Sequence, residues 1–163
     1  MFKLSHSKMA FFSGAIWMAI GVFLLQLGLN LLFKPAAAGE SIPLLNLLLG
    51  FISATEAAIL ITVVALYIGF LKGKYILTKT ANRTLDQIRS LPNPGPLHQI
   101  YDKKYYILIG IMVMLGMSIK YMGIPNDIRG AIDVIIGSAL INGAAYYFRA
   151  GFQIQHQQEK SVL

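Results

Sequence analysis

The stretch Met9–Phe33, MAFFSGAIWMAIGVFLLQLGLNLLF, decides the fold. It holds 25 residues without a charge, closed by Lys8 on one side and Lys34 on the other. About 20 apolar residues suffice for a helix to cross the hydrocarbon core of a bilayer. Lys3, Lys8 and the later Ala36-Ala37-Ala38 resemble a secretory signal with its small-residue cleavage site. A signal's apolar region, however, runs to roughly 7–15 residues. This segment is therefore read as a retained first span.

Working outward, three further runs have the same character. Residues 43–71 carry the single charge Glu56, residues 105–124 the single charge Lys120, and residues 130–148 the single charge Asp133. The expectation is an all-α integral membrane protein, one membrane domain over residues 1–163, with spans at 9–33, 43–71, 105–124 and 130–148. The second run is long for one upright helix. It reads either as one long, tilted helix or as a short dip over 42–52 followed by a span from about Ser53 to Leu71.

Composition agrees. Of 163 residues, 13% are charged and 56% hydrophobic, with a mean hydropathy of +0.61. A soluble domain carries roughly 25% charged residues, and disorder needs low hydrophobicity. Both classes are excluded. The chain has no cysteine, which removes disulfides, thiolate metal sites and cysteine nucleophiles. His6, His98 and His156 all lie in hydrophilic flanks, so no histidine ligates metal or haem at membrane depth. No cofactor and no metal is expected, and no hydrolase, metalloprotease or P-loop motif occurs.

The net charge of +7 points to orientation rather than to nucleic acid. With the N-terminus in the cytoplasm, 11 of the 14 basic residues fall on the cytoplasmic side, leaving Lys34, Lys120 and Arg129 outside. The positive-inside rule then predicts an N-in, C-in protein, multi-pass in the cytoplasmic or inner membrane if bacterial. Tyr75, Tyr101, Tyr105, Tyr106, Tyr146 and Tyr147 collect at that inner boundary, where amphipathic rings favour the interface.

The cytoplasmic loop 72–104 contains one amphipathic pattern. Leu77, Ala81, Leu85 and Ile88 recur at helical spacing, with Lys79, Arg83, Asp86 and Arg89 mostly elsewhere. This predicts a helix that lies on the inner leaflet, touching anionic lipid, or continues the second span. Pro92, Pro94 and Pro96 end it.

Small residues mark expected helix contacts, because backbones that approach closely gain dispersion in lipid. Gly14, Gly21 and Gly28 repeat every seven residues, as do Gly116 and Gly123. Gly69 with Gly73, and Ala139 with Gly143, are small-xxx-small pairs. Packing within the chain is the first use of these stripes; a homo-oligomer is the second. Weak matches between the first and third spans, and between the second and fourth, suggest a duplicated two-helix unit with both halves in one orientation.

The candidate site is a polar layer. Glu56, Lys120 and Asp133 each lie 16 residues from the last basic residue of their span, Lys72, Lys104 and Arg149. At 1.5 Å per residue each sits about 24 Å above the inner boundary. Ionisable groups at membrane depth are costly and point to ion or proton pathways. Gln26, Asn30, Asn46 and Asn142 are secondary polar candidates, and Asn142 is expected to bond a neighbouring helix. Trp17 reads as a packing residue. Two functions follow: a channel- or transporter-like protein moving a cation, proton or small solute through an oligomeric bundle, or a non-transporting structural or accessory subunit.

Overall fold

The computed structural model describes residues 3–38, 44, 52–90, 95–96 and 122–160. These residues form α1 (His6–Ala38), α2 (Ala54–Lys72), a π-helical turn (Gly73–Leu77), α3 (Thr78–Ser90) and α4 (Asn126–Lys160). A two-residue antiparallel pairing joins Lys3 and Leu4 to Pro96 and Gly95. Three helical stretches, His6–Ala38, Ala54–Ser90 and Asn126–Gln157, are long and apolar enough to cross a membrane. Most of the expected third span, with Lys120 and Gly116, lies outside the described residues, as do Asn46 and most of the 42–52 stretch.

Local chemistry sets the helix ends. Ser53 caps α2 through a reciprocal box: its hydroxyl accepts the Glu56 amide at 3.4 Å while Glu56 Oε2 accepts the Ser53 amide at 2.9 Å. α2 therefore starts at Ala54, near the later of the two starts read from the sequence. Before α4, Gly123 takes φ +66, a left-handed conformation that glycine adopts freely, and a Cβ there would meet nothing within 4 Å. Gly123 is thus a turn residue and not a helix contact, which removes it from the expected seven-residue stripe. Arg129 N–H then donates to the Pro125 carbonyl to open the helix.

The long second helix does not stop at the expected boundary. α2 passes through one π turn into α3, giving a continuous rod from Ala54 to Ser90. Of the two alternatives for α3, continuation of the span is the one observed. Ala81, Leu85 and Ile88 are buried in a cluster with Met9, Ala10, Tyr147, Ala150 and Ile154. That apolar face is taken up by α1 and α4, which leaves Lys79, Arg83 and Arg89 exposed.

α4 is the hub of the bundle: none of its residues from Asp127 to Phe148 is exposed. Against it α1 runs antiparallel, with Gly28 at Gly130, Gly21 at Gly137 and Phe11 at Gly151. α2 runs parallel to α4, since Gly69 meets Ile135 and Ser138 while Gly73 meets Ala139 and Asn142. Small residues face inward and large apolar ones outward. On α2 the buried residues are Ala57, Ala58, Thr62, Ala65 and Gly69, whereas Ile59, Leu60, Val63, Val64, Tyr67 and Phe70 are exposed. That is the size distribution expected of helices packing against each other in lipid.

Candidate functional site

The glycine stripe read on α1 meets a matching stripe on α4. Gly130, Gly137, Ala144 and Gly151 also repeat every seven residues, and they run antiparallel to Ser7, Gly14, Gly21 and Gly28. A Cβ built on Gly28 would stand 2.6 Å from the Gly130 carbonyl oxygen, and one on Gly21 2.9 Å from that of Gly137. The reverse approaches, from Gly130 to Gly28 and from Gly137 to Gly21, are 2.8 and 2.7 Å. Backbone lies directly on backbone along this seam. Ser7 Oγ closes its end by donating to the Gly151 carbonyl at 3.1 Å. The α4 stripe escaped the sequence reading although its spacing, identical to that of α1, was available.

Gly69, Gly73, Ala139 and Gly143 are also engaged inside the chain. A Cβ on Gly69 would collide with Ser138 Oγ, one on Gly73 would stand 2.9 Å from the Ala139 carbonyl oxygen, and one on Gly143 2.8 Å from the Trp17 ring. Trp17 is buried and meets Tyr147 edge-on, with ring centroids 5.4 Å apart. Tyr147 is therefore a core residue and not an interfacial ring, while Tyr146 hydroxyl bonds Asn82 of α3.

The expected polar layer comes apart along the axis. Glu56 turns its carboxylate back on Ser53, whose hydroxyl and amide both reach Oε2, at 2.8 and 2.9 Å. Asp133 lies one turn from Arg129, with Oδ2 4.0 Å from the guanidinium Nε and no hydrogen bond to that oxygen. Gly69 packs level with residues 135–138 of α4. Glu56, 13 residues earlier on a parallel helix, is therefore level with residues 122–125. Asp133 lies 8–11 residues further along α4, a separation of roughly 12–16 Å in depth. The equal 16-residue spacings misled because Lys72 and Arg149 do not mark one plane: Gly73, next to Lys72, packs level with Ala139 and Asn142. Lys120, the third member, lies outside the described residues.

The remaining polar groups mostly bond to their own helices. Asn142 donates to the Ser138 carbonyl (3.0 Å), correcting the expected bond to a neighbour. Asn30 donates to the Gln26 carbonyl (2.9 Å), Thr62 to that of Ala58 (2.8 Å) and Ser138 to that of Ile135 (3.1 Å). One buried carboxylate was missed altogether. Asp127 is fully buried, and its Oδ2 accepts the amide of Leu44 at 2.6 Å. It tethers Leu44 to the start of α4. The Pro125-Asn126-Asp127 sequence, typical of a helix start, was the available signal.

Among the described residues no group of three or more acidic or histidine side chains could hold a metal ion. No family model, curated protein or solved structure matches the chain.

Proposed function

We propose that this is a four-span integral membrane protein, N-in and C-in, that serves as a non-transporting structural or accessory subunit. The observation that carries this reading is the α1–α4 seam, in which glycine backbones meet directly. The interior hydroxyl and amide groups of Thr62, Ser138 and Asn142 return their hydrogen bonds to their own helices, a local satisfaction that does not present them to a solute. The inner ends of α1 and α4 clasp α3 into a crown with exposed Lys79, Arg83 and Arg89. This basic surface suits anionic headgroups or an acidic partner.

The parallel course of α2 and α4 supports the four-span count. Pro96, paired with Lys3, sits at the end of the bundle where Ser7 meets Gly151, whereas Asp127 and Gly28 mark the opposite end. The chain must return between them, and the apolar run 105–124 supplies a crossing of the right length. A duplicated two-helix unit requires the same parallel course. Reporter fusions after residues 38, 90 and 163 are expected to read outside, inside and inside.

A transport reading is favoured by buried polar atoms without a hydrogen bond, the Asp133 Oδ2 and the Ser13 Oγ. Flux into proteoliposomes separates the two readings. The structural reading expects cation and proton flux no faster than in protein-free vesicles. Flux that Asp133→Asn abolishes would overturn it.

A further inference from the structure

Lys74 and Lys79 stand five residues apart, a spacing that on an unbroken α-helix points side chains in different directions. The π turn between them changes this. Thr78 N–H donates to the Gly73 carbonyl, five residues back, so across Gly73–Leu77 residues five apart stack one above the other. Arg83 follows Lys79 at the four-residue interval of α3. In the other direction, Phe70, Tyr67 and Val63 precede Lys74 at intervals of four, three and four. Six outward residues thus form one column, apolar along α2 and cationic from the π turn onward. All six are exposed in the folded chain.

The cations of this column have no counter-charge. The sequence holds no acid between Glu56 and Asp86, and Asp86 reaches Arg89 instead, at 3.7 Å. Lys74, Lys79 and Arg83 form no ion pair among the described residues. The Lys74 ammonium lies over the Tyr75 ring, 5.9 Å from its centroid, which holds it at the foot of the apolar strip.

On the membrane reading given above, on which this inference rests, the column crosses the inner edge of the bilayer. α2 has 19 residues, roughly 28 Å, against a hydrocarbon core of about 30 Å. Lys74 then falls at headgroup depth, and Val63, Tyr67 and Phe70 lie among acyl chains. Lys79 and Arg83 follow roughly 8 and 14 Å beyond Lys74, with stems long enough to reach back toward the headgroups. Met9, Ala10, Tyr147 and Ala150, which cluster with α3, stand beyond that edge with it.

We propose that this column binds an anionic phospholipid of the inner leaflet. Its acyl chains lie along Val63, Tyr67 and Phe70, its phosphate sits at Lys74 and Lys79, and Arg83 closes the outer rim. An amphiphile is the partner that meets both halves of the column at once. Inorganic phosphate would use the cations alone, and an acidic protein domain would leave the apolar half without a part. The alignment of the two halves is the work of the π turn.

Native mass spectrometry of the purified protein in neutral detergent tests this, by titration with phosphatidylglycerol, phosphatidylcholine or inorganic phosphate. Phosphatidylglycerol is expected to bind about tenfold more tightly than phosphatidylcholine, and excess inorganic phosphate to displace neither. Lys74→Gln is expected to weaken phosphatidylglycerol about fivefold, Lys79→Gln less and Arg83→Gln less again. Arg89→Gln, the same change of charge outside the column, is expected to leave binding as it was. Equal affinity for the two lipids, or an equal loss with Arg89→Gln, would overturn the proposal. So would displacement by inorganic phosphate, which marks a free-anion site, or the largest loss at Arg83, which marks a soluble acidic partner. Flotation of reconstituted vesicles reports insertion separately. Protein that floats without a lipid preference overturns this inference alone; protein that fails to float overturns the membrane reading with it.

Discussion

α2 and α3 belong to one continuous rod, yet only α3 buries large apolar residues. α2 hides Ala57, Ala58, Thr62, Ala65 and Gly69 and exposes Ile59, Val63, Tyr67 and Phe70. Beyond the π turn, α3 hides Leu85 and Ile88 as well as Ala81 and Thr84, and exposes Lys79, Arg83, Asp86 and Arg89. On the membrane reading proposed above, the change marks a change of solvent along one helix. In water a buried leucine gains the hydrophobic free energy of leaving solvent. In lipid it gains nothing of that kind, and close approach of small residues becomes the better source of cohesion. The π turn at Gly73–Leu77 sits at the crossover, where an inserted residue rotates the buried face from one set of positions to the other.

Four pairs of substitutions can break or sharpen this contrast. The largest effect is expected from Ile88→Ala, which empties a fully buried position in the crown at about 2–5 kcal/mol. Ile59→Ala, on the exposed side of the same rod, is expected to change stability by less than about 0.5 kcal/mol. Denaturant unfolding in detergent measures both. Equal losses would mean that α2 and α3 share one solvent.

An added carboxylate should discriminate the other way. Val63→Asp is expected to cost about 2.5–3.5 kcal/mol in a membrane-insertion assay, while Arg83→Asp on the solvated face of α3 should insert normally. Poor insertion of Arg83→Asp would put α3 inside the bilayer.

Gly21→Leu tests the seam. Its side chain would drive into the Gly137 carbonyl and Ile141, with an expected loss of about 1–3 kcal/mol or more. Phe23→Ala, at a strongly exposed position, should lower the melting temperature far less. A tolerated Gly21→Leu would mean that α1 and α4 are not in backbone contact there.

The smallest effect is expected at the outer end of the rod. Ser53→Ala removes the hydroxyl half of the capping box and should cost about 1 kcal/mol. Glu56→Gln keeps an acceptor for the Ser53 amide and should cost less. If Glu56→Gln instead abolished an ion flux and left stability unchanged, Glu56 would belong to a pathway and not to a cap.

Much of the fold was legible because hydropathy is a local sum. Met9–Phe33 announces α1 from its own composition, and Leu77, Ala81, Leu85 and Ile88 announce the buried face of α3. The Ser53–Glu56 box was present as well, but Glu56 was assigned to a charged layer because its distance from Lys72 was read as depth. Asp127 escaped notice because its partner, Leu44, lies 83 residues away. The destination of the Gly14–Gly21–Gly28 stripe was open for a similar reason: a seven-residue spacing defines a face and leaves its partner undefined.

By itself, the sequence determined which segments are apolar enough to cross a bilayer and which side of α3 avoids water. Each depends on residues within a few turns of one another. Only the tertiary structure decided the axial register between helices: that Gly21 meets Gly137, that Gly69 meets Ser138, and that Glu56 and Asp133 stand at different depths. The physical reason is that helices in contact slide until their smallest residues coincide. That choice depends on pairs of backbones far apart in the chain, which no count along one helix contains.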